Sequence, residues 1–427
     1  MQGQKGVRMS NFWHPFGQLY QASHDAVVFD HGSGVYVFDE DGRRYLDGTA
    51  ALWYANIGHG RTEIADAIAE QAKKLAGYST FGNFSNRPAE ELAAFLSERA
   101  PMRDAQIFFV QGGGDAVETA TKLARRYHFE LGHPERTAII SRVNGYHGTW
   151  GFGTSVGGID ANREGFGALV PDTYRVPYDD VEAVEAEIVR LGEEQVAAVI
   201  AEPVIGAGGV YPPPAGYFAS LREICDRHGV LLIVDSVICG FGRVGSWFGV
   251  ERFEISPDLI TFAKGVTSGY LPLGGVAVAG HVAAPFARQD SPVFRHGPTY
   301  GGHPTCAAAG LTNCRLLEGE GILERGSLLE GDLLAALRPA TRFSSVSEVR
   351  GGVGLLAAVE VSPQVRREDP KAVDRLAVTV RRNGLITRVL GQGLAFSPPL
   401  VIEPSQIQEI GDIVMGSLEE WETTINV

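Results

Sequence analysis

Short, unbroken apolar runs alternate with helix-patterned stretches through the middle of this chain, and several of the runs stop on a residue that can do chemistry. Leu231-Leu232-Ile233-Val234 ends on Asp235, Leu259-Ile260-Thr261-Phe262-Ala263 ends on Lys264, and Val196 to Ala201 leads into Glu202-Pro203-Val204. A strand that is apolar throughout needs cover on both faces. Ile107 to Val110, Ala138 to Ser141 and Gly275 to Ala279 read the same way. Between them, Asp115 to Leu131, Val181 to Leu191 and Phe218 to Arg227 carry apolar residues at helical spacing. The pattern predicts an α/β fold, a mostly parallel central sheet with helices on both faces. Ligands of such sheets sit beyond the carboxyl ends of the strands, which is where Glu202, Asp235 and Lys264 fall.

The flanks read differently. An aromatic arm at Trp13 to Phe16 precedes short alternating segments at Val27 to Phe29, Val35 to Phe38 and Arg44 to Leu46, with Asp41-Gly42 as a hairpin turn. Helices follow from Thr62 to Gly77, with Ile64, Ile68, Ala72 and Leu75 on one face, and from about Pro88. After a helical stretch from Pro304 to about Leu337, Val346 to Val349, Leu355 to Val361 and Leu385 to Val389 read as strands. Lys371 to Arg382 and Ser405 to Trp421 read as helices. The expected division is an N-terminal arm and small antiparallel segment over 1–61, a large α/β domain over 62–325 and a smaller α+β domain over 326–427.

Charge narrows the partners. With 51 acidic against 37 basic residues the net charge is −14, unsuited to a nucleic-acid or anionic-membrane surface. No run approaches the roughly 18 apolar residues of a membrane span, and Met1 to Ser10 lacks the apolar segment of a signal peptide, so the expected location is the cytoplasm. Cys225, Cys239, Cys306 and Cys314 have no metal-binding spacing and read as buried, reduced thiols. No metal site is expected. Arginine carries nearly all the positive charge; the lysines are Lys5, Lys73, Lys74, Lys122, Lys264 and Lys371, and of these only Lys264 ends an apolar run.

The motifs combine into one kind of site. Gln111-Gly112-Gly113-Gly114-Asp115 joins a strand end to a helix start, where backbone amides and the helix dipole hold a phosphate. Gly145-Tyr146-His147-Gly148 sets an aromatic ring beside it. An isolated carboxylate at a strand end is usually a cap, but with a lysine nearby the pair gains a use. The amine condenses with an aldehyde, and the carboxylate keeps a ring nitrogen protonated. Phosphate cup, aromatic, carboxylate and lysine together describe a pyridoxal phosphate site. Gly240-Phe241-Gly242-Arg243-Val244-Gly245 also matches the dinucleotide GxGxxG. Its context rejects that reading: Ser246-Trp247-Phe248-Gly249 and Pro257 do not make a helix, and Asp258 precedes a strand instead of ending one.

From about His14 to Trp421 the chain resembles the class III pyridoxal-phosphate aminotransferases, the ω-transaminase group of fold type I. The resemblance rests on Leu46-Asp47-Gly48 with Leu52-Trp53, Gly145-Tyr146-His147-Gly148, Glu202-Pro203-Val204, Asp235 through Gly245, Phe262-Ala263-Lys264-Gly265, and His296 to Tyr300 before Gly302-His303-Pro304. It implies that Lys264 forms the internal aldimine and Asp235 pairs with the pyridine nitrogen. Tyr146 and Val237 would flank the ring, with His147 among the cofactor-binding residues, Gly113 and Gly114 on the phosphate, and Glu202 orienting the ring hydroxyl and Asp235. Thr299 would reach the phosphate of a neighbouring subunit, making the active unit a homodimer or a dimer of dimers.

Departures from the family pattern bear on affinity and substrate. Ser236 stands where glutamate is common. Gly112 and Gly114 stand where serines are common, and each lost donor to a charged group is worth roughly 1.5–3 kcal/mol. Ornithine and γ-aminobutyrate relatives carry a glutamine at Ile238 and a gating glutamate at Ala207. Without the latter, the resemblance implies that Arg388 swings away for amines and returns for a keto acid. Trp53, Phe16, Phe81 and Phe84 would wall an apolar pocket. The implied activity is transfer of an amino group from an amine or ω-amino acid to an α-keto acid such as pyruvate. The same parts also serve an aminomutase or decarboxylase, or a regulatory protein that binds the cofactor without turnover.

Overall fold

Asp41-Gly42 turns the chain as the dipeptide predicts: Gly42 lies at φ +79° and its N–H donates to the Asp39 carbonyl at 2.9 Å. The computed structural model describes residues 11–20 and 25–424, so the leader over 1–10 lies outside the described residues. The hairpin strands are β1 (Phe29–Ser33), β2 (Tyr36–Asp39) and β3 (Arg44–Asp47), antiparallel in order.

The main sheet has seven strands: β4 (Gln106–Val110), β5 (Ala138–Arg142), β6 (Thr173–Val176), β7 (Val196–Ala201), β8 (Leu231–Asp235), β9 (Leu259–Phe262) and β10 (Gly274–Val278). Their spatial order is β4-β10-β9-β8-β7-β5-β6. Every pair is parallel except those that β10 makes with β4 and β9. Side chains alternate between faces along a strand, yet every residue of β5, β7, β8, β9 and β10 is buried. Both faces are therefore covered, as the apolar runs predict. Helix Gly113–Glu130 packs across β7, β9 and β10, and helix Tyr217–His228 against β8. Since β4, β5, β7, β8 and β9 point the same way, their carboxyl ends share one edge.

Three sequence expectations are corrected. β6 was not expected; it is an edge strand with one neighbour, so Thr173-Tyr174-Arg175-Val176 stays mixed in polarity. The helical stretch from Pro304 to Leu337 is broken into Pro304–Gly319, Arg325–Leu328 and Glu330–Leu337, with Gly321 at φ +62° in the first break. The expected strand over Leu385 to Val389 is two strands in two sheets. β13 (Leu385–Ile386) pairs parallel with β3, extending the N-terminal sheet. β14 (Arg388–Leu390) pairs with β15 (Gly393–Phe396), beside β12 (Ala357–Val361) and β11 (Val346–Gly351).

The Gly240–Gly245 stretch forms turns, and no helix follows before a short 3-10 turn at Val250–Phe253. Its arginine ties the chain together. Arg243 is fully buried; it donates to the carbonyls of Leu355 (3.2 Å) and Pro398 (2.7 Å) and to Asn56 Oδ1 (2.9 Å). Burial lowers its guanidinium pKa to about 9. All four cysteines are buried, and burial pushes the Cys225 thiol up to about 12. No helix among the described residues is long and apolar enough to cross a membrane.

His128, at the end of helix Gly113–Glu130, bonds through Nε2 to the Ala197 carbonyl of β7 at 3.0 Å. Burial lowers its pKa from 6.5 to about 4, with that carbonyl opposing the shift. The unfolded chain then binds a proton that the folded chain refuses, so stability present above pH 6.5 is lost as the pH falls towards 4. His128→Gln keeps a donor for Ala197 without the proton. Its urea midpoint should fall less steeply than that of wild type between neutral pH and pH 4.5; an unchanged slope would exclude His128 as a source of the acid sensitivity.

Candidate active site

β8 and β9 run parallel with Asp235 opposite Thr261, so the two strands deliver an acid and, three residues further on, an amine to the same edge. Asp235 is almost fully buried. Its Oδ2 lies 2.7 Å from His147 Nδ1, and its Oδ1 accepts from the Thr261 hydroxyl (3.0 Å) and the Val237 N–H (3.1 Å). A buried carboxylate lacking partners costs several kcal/mol; three partners from three segments satisfy and aim this one.

Lys264 is left without a counterpart. Among the described residues its amine has no hydrogen bond or ion pair. Burial pushes its pKa below the usual lysine range, with Asp235 and Glu202 pulling the other way. Its backbone sits at φ +49°, a conformation that costs on the order of 1–3 kcal/mol for a residue with a side chain. The following turn is pinned by Asn313, whose Nδ2 donates to the carbonyls of Gly265 (2.9 Å) and Val266 (3.0 Å).

The loop after β4 enters helix Gly113–Glu130 directly, and the first-turn N–H groups have no partner within the helix. Glycine is required where neighbours close in. A Cβ at Gly113 would lie 2.8 Å from Val237 Cγ1, and one at Gly114 would lie 2.6 Å from Trp150 Cδ1. Tyr146 follows β5, and its N–H donates to Glu202 Oε1 at 2.9 Å; Glu202 Oε2 accepts from the Gly206 N–H at 3.0 Å. Burial raises the Glu202 pKa, and the Asp235 carboxylate adds to the rise against His147. Glu202 makes no hydrogen bond to Asp235. The groups that hydrogen-bond Asp235 are His147, Thr261 and Val237.

Gly113, Gly114, Tyr146, His147, Glu202, Asp235, Val237 and Lys264 line one cavity of about 120 Å³, with Gly148 and Ile238. Pyridoxal phosphate needs an unpartnered amine, a buried carboxylate, unbonded amides for an anion and flat flanks for a ring. The donor set here meets each need. Thr261 escapes the motif reading, although a lone hydroxyl in Leu259-Ile260-Thr261-Phe262 is the signal that could have marked it.

The other expected residues lie outside this cavity. Trp53 joins the cavity-lining Ile238 in a small apolar cluster that includes Val204 and Leu390, with Ala207 packed against it. Trp53 is presented by a strained loop: Ala50, Ala51 and Trp53 all have positive φ. Buried Asp47 of the Leu46-Asp47-Gly48 motif holds that loop, accepting from the N–H of Ala51 (2.7 Å) and of Thr49 (3.2 Å) and pairing with His59 (2.8 Å). Ala207 lines a second cavity of about 220 Å³ with Asp160 and Arg350. Arg388 is exposed and forms no ion pair with a described residue. Desolvation lowers its pKa, and the Tyr146 phenol opposes the shift. Phe81 and Phe84 line an exposed cleft of about 940 Å³ with His296 and Pro298. Thr299, next to Pro298, and Phe16 are exposed.

A lysine amine whose pKa is lowered turns nucleophilic at a pH where ordinary lysines stay protonated. In cofactor-free protein treated with an acylating reagent, Lys264 should be half-modified at lower pH than Lys73 and Lys74, with peptide masses resolving each site. Modification of Lys264 only at the pH of the surface lysines would refute the desolvation argument.

Residues 19–418 match the class III aminotransferase family. The chain is 37% identical over 417 residues to the putrescine–pyruvate aminotransferase of Pseudomonas aeruginosa, spanning 92% of this chain and 91% of that one. It is 36% identical to the omega-aminotransferase of Caulobacter vibrioides, over 94% of this chain and 96% of that one. Among solved structures, an amine transaminase from an uncultivated Pseudomonas species in its PLP-bound, internal aldimine form superposes with a TM-score of 0.92 at 36% identity, covering 97% and 99% of the two chains. An (S)-enantioselective omega-transaminase from Thermomicrobium roseum does so at 0.91 and 39%, covering 96% of each. The fold, the lysine and carboxylate at one strand edge, and these likenesses agree: the chain belongs to the class III aminotransferases, enzymes dependent on pyridoxal phosphate.

Proposed function

We propose that this aminotransferase takes its amino group from an amine or ω-amino acid and passes it to an α-keto acid such as pyruvate. The observation that carries the reading is the pairing of an apolar cluster at Trp53, Ile238, Leu390 and Ala207 with an arginine, Arg388, that has no carboxylate of the described chain to neutralise it. The cluster suits the carbon skeleton of an amine without an α-carboxylate. The unneutralised guanidinium suits the carboxylate of the keto acid. The names of the relatives, putrescine–pyruvate and omega-aminotransferase, support the same division.

When bound, pyridoxal phosphate supplies an electrophilic aldehyde and an electron-withdrawing ring that makes the C–H beside the donor nitrogen acidic. The chain does the rest. In this reading the Gly113 and Gly114 amides would hold the phosphate, and Tyr146 and Val237 would bracket the ring. Asp235, aimed by its three donors, would keep a proton on the ring nitrogen. Lys264 Nζ, easily deprotonated where it sits, takes a proton from the donor carbon and returns one when the keto acid is aminated. The reading takes the active unit as a homodimer, supported by the exposed cleft at Phe81, Phe84 and Pro298 and by the exposure of the adjoining Thr299.

Purified holoenzyme should change its visible absorbance when mixed with an amine and recover it with pyruvate or 2-oxoglutarate. Borohydride should trap the cofactor on Lys264, and Lys264→Ala should lose turnover. Conversion without any need for a keto acid would indicate an aminomutase or decarboxylase, and no conversion with any amine would sink the transferase reading. Arg388→Leu should raise KM for the keto acid roughly 10- to 100-fold, as expected for a lost charged hydrogen bond, while sparing the half-reaction with the amine. Equal loss in both halves would remove Arg388 from keto-acid recognition.

A further inference from the structure

The glycine at position 114 is filled from outside. The indole of Trp150 stands where the side chain of residue 114 would begin: a Cβ there would lie 2.6 Å from Trp150 Cδ1 and 2.7 Å from Nε1. Trp150 is held against the loop by several contacts. Gly148, at φ +88°, brings backbone against backbone, so close that a Cβ on it would lie 2.9 Å from Gly114 Cα. Trp150 itself precedes the short helix Gly151–Val156, whose Thr154 N–H donates to the Trp150 carbonyl at 2.8 Å. That helix is tied to the glycine-loop helix by the Phe152 N–H, which donates to Glu118 Oε2 at 2.9 Å. Burial raises the pKa of the Asp115 carboxyl, and the indole also acts on that carboxyl, drawing the pKa down.

Core packing does not account for this arrangement. Trp150 is 54% exposed, so much of its ring remains at the surface beside a glycine that cannot be enlarged without moving it. Gly114, against which the indole stands, lines the Lys264 cavity.

We propose that Trp150 is a cofactor-binding residue of this enzyme: its indole closes the rim of the phosphate cup at Gly114, shielding the anion's contacts with the loop amides from water. The proposal rests on the reading of Gly112–Gly114 as the phosphate cup. Hydrogen bonds from backbone amides to an anion strengthen as water is excluded, so the ring replaces by shielding what a hydroxyl at position 114 would supply by donation. Gly114 and Trp150 are then one unit, and neither can change alone without loss.

A coupled pair of substitutions tests this. Cofactor is removed from holoenzyme and the protein retitrated with pyridoxal phosphate and, separately, with pyridoxal. Binding is read from the absorbance of the Lys264-bound aldehyde and from quenching of indole fluorescence. Trp150→Ala and Gly114→Ser should each bind pyridoxal phosphate roughly tenfold more weakly, about the value of one charged hydrogen bond, and Trp150→Phe should fall between. The double variant Trp150→Ala/Gly114→Ser should bind more tightly than either single variant, because the serine hydroxyl then has room to donate. Pyridoxal affinity should not change in any of them. Trp150→Ala and Trp150→Phe binding pyridoxal phosphate as wild type does, or Gly114→Ser tightening it with Trp150 in place, would overturn the proposal. A wild-type protein with no preference for pyridoxal phosphate over pyridoxal would overturn the phosphate-cup reading itself, a distinct result.

Discussion

A carboxylate almost without water is the charge around which this site is built. Asp235 cannot remain ionised in the sheet edge unless donors replace its lost hydration, and the three it has come from separate places: Thr261 from the neighbouring strand, Val237 from its own turn and His147 from the loop after β5. Each donor ties a distant segment to the strand end. The strand register that sets Thr261 opposite Asp235 also sends Lys264 out beside it. Because Asp235 is already engaged by donors, the amine gains from it only attraction across space. That is why burial prevails and the lysine is held below its ordinary pKa. Burial makes the base reactive, and the acid, engaged elsewhere, opposes that only in part.

Much of this was legible in the residues, and the reasons are physical. Apolar runs such as Leu231–Val234 have no stable fate other than a covered strand, so the central sheet and the strand-end positions of Glu202, Asp235 and Lys264 followed from burial alone. Pairings that depend on two distant segments were not legible. Nothing in Leu385-Ile386-Thr387-Arg388 signals that its halves serve different sheets, since each half finds its partner far along the chain. β6 was missed because an edge strand need not be apolar, and Trp150 because its meaning lies in a glycine 36 residues earlier. The aromatic residues were legible as apolar but not as neighbours: Trp53 joins the cluster around Ile238, while Phe16, Phe81 and Phe84 remain exposed.

The run Gly240–Gly245 shows how a motif can mislead while its residues matter. Its glycines make turns, and the residue between them, Arg243, sends a buried guanidinium to carbonyls of Leu355 and Pro398 and to Asn56. Donors in a planar fork suit several carbonyls at once, so one side chain joins the N-terminal segment and the C-terminal sheet to the stretch carrying Asp235. The position of the apolar cluster at Trp53 relative to Lys264 depends on that junction.

The division of Leu385–Leu390 between two sheets bears on how Arg388 can respond to a ligand. Ile386 is hydrogen-bonded into the sheet of β3, and Arg388 itself is registered against Ala395 of β15. The main chain is thus clamped on both sides of the guanidinium, with only Thr387 between the clamps. Relocating the charge is then a matter of side-chain torsions at the tip of a rigid post. Rotamer changes of that kind take picoseconds to nanoseconds for an exposed side chain, so under the proposed function the charge could answer an amine and a keto acid in turn while the main chain that carries it stays in place.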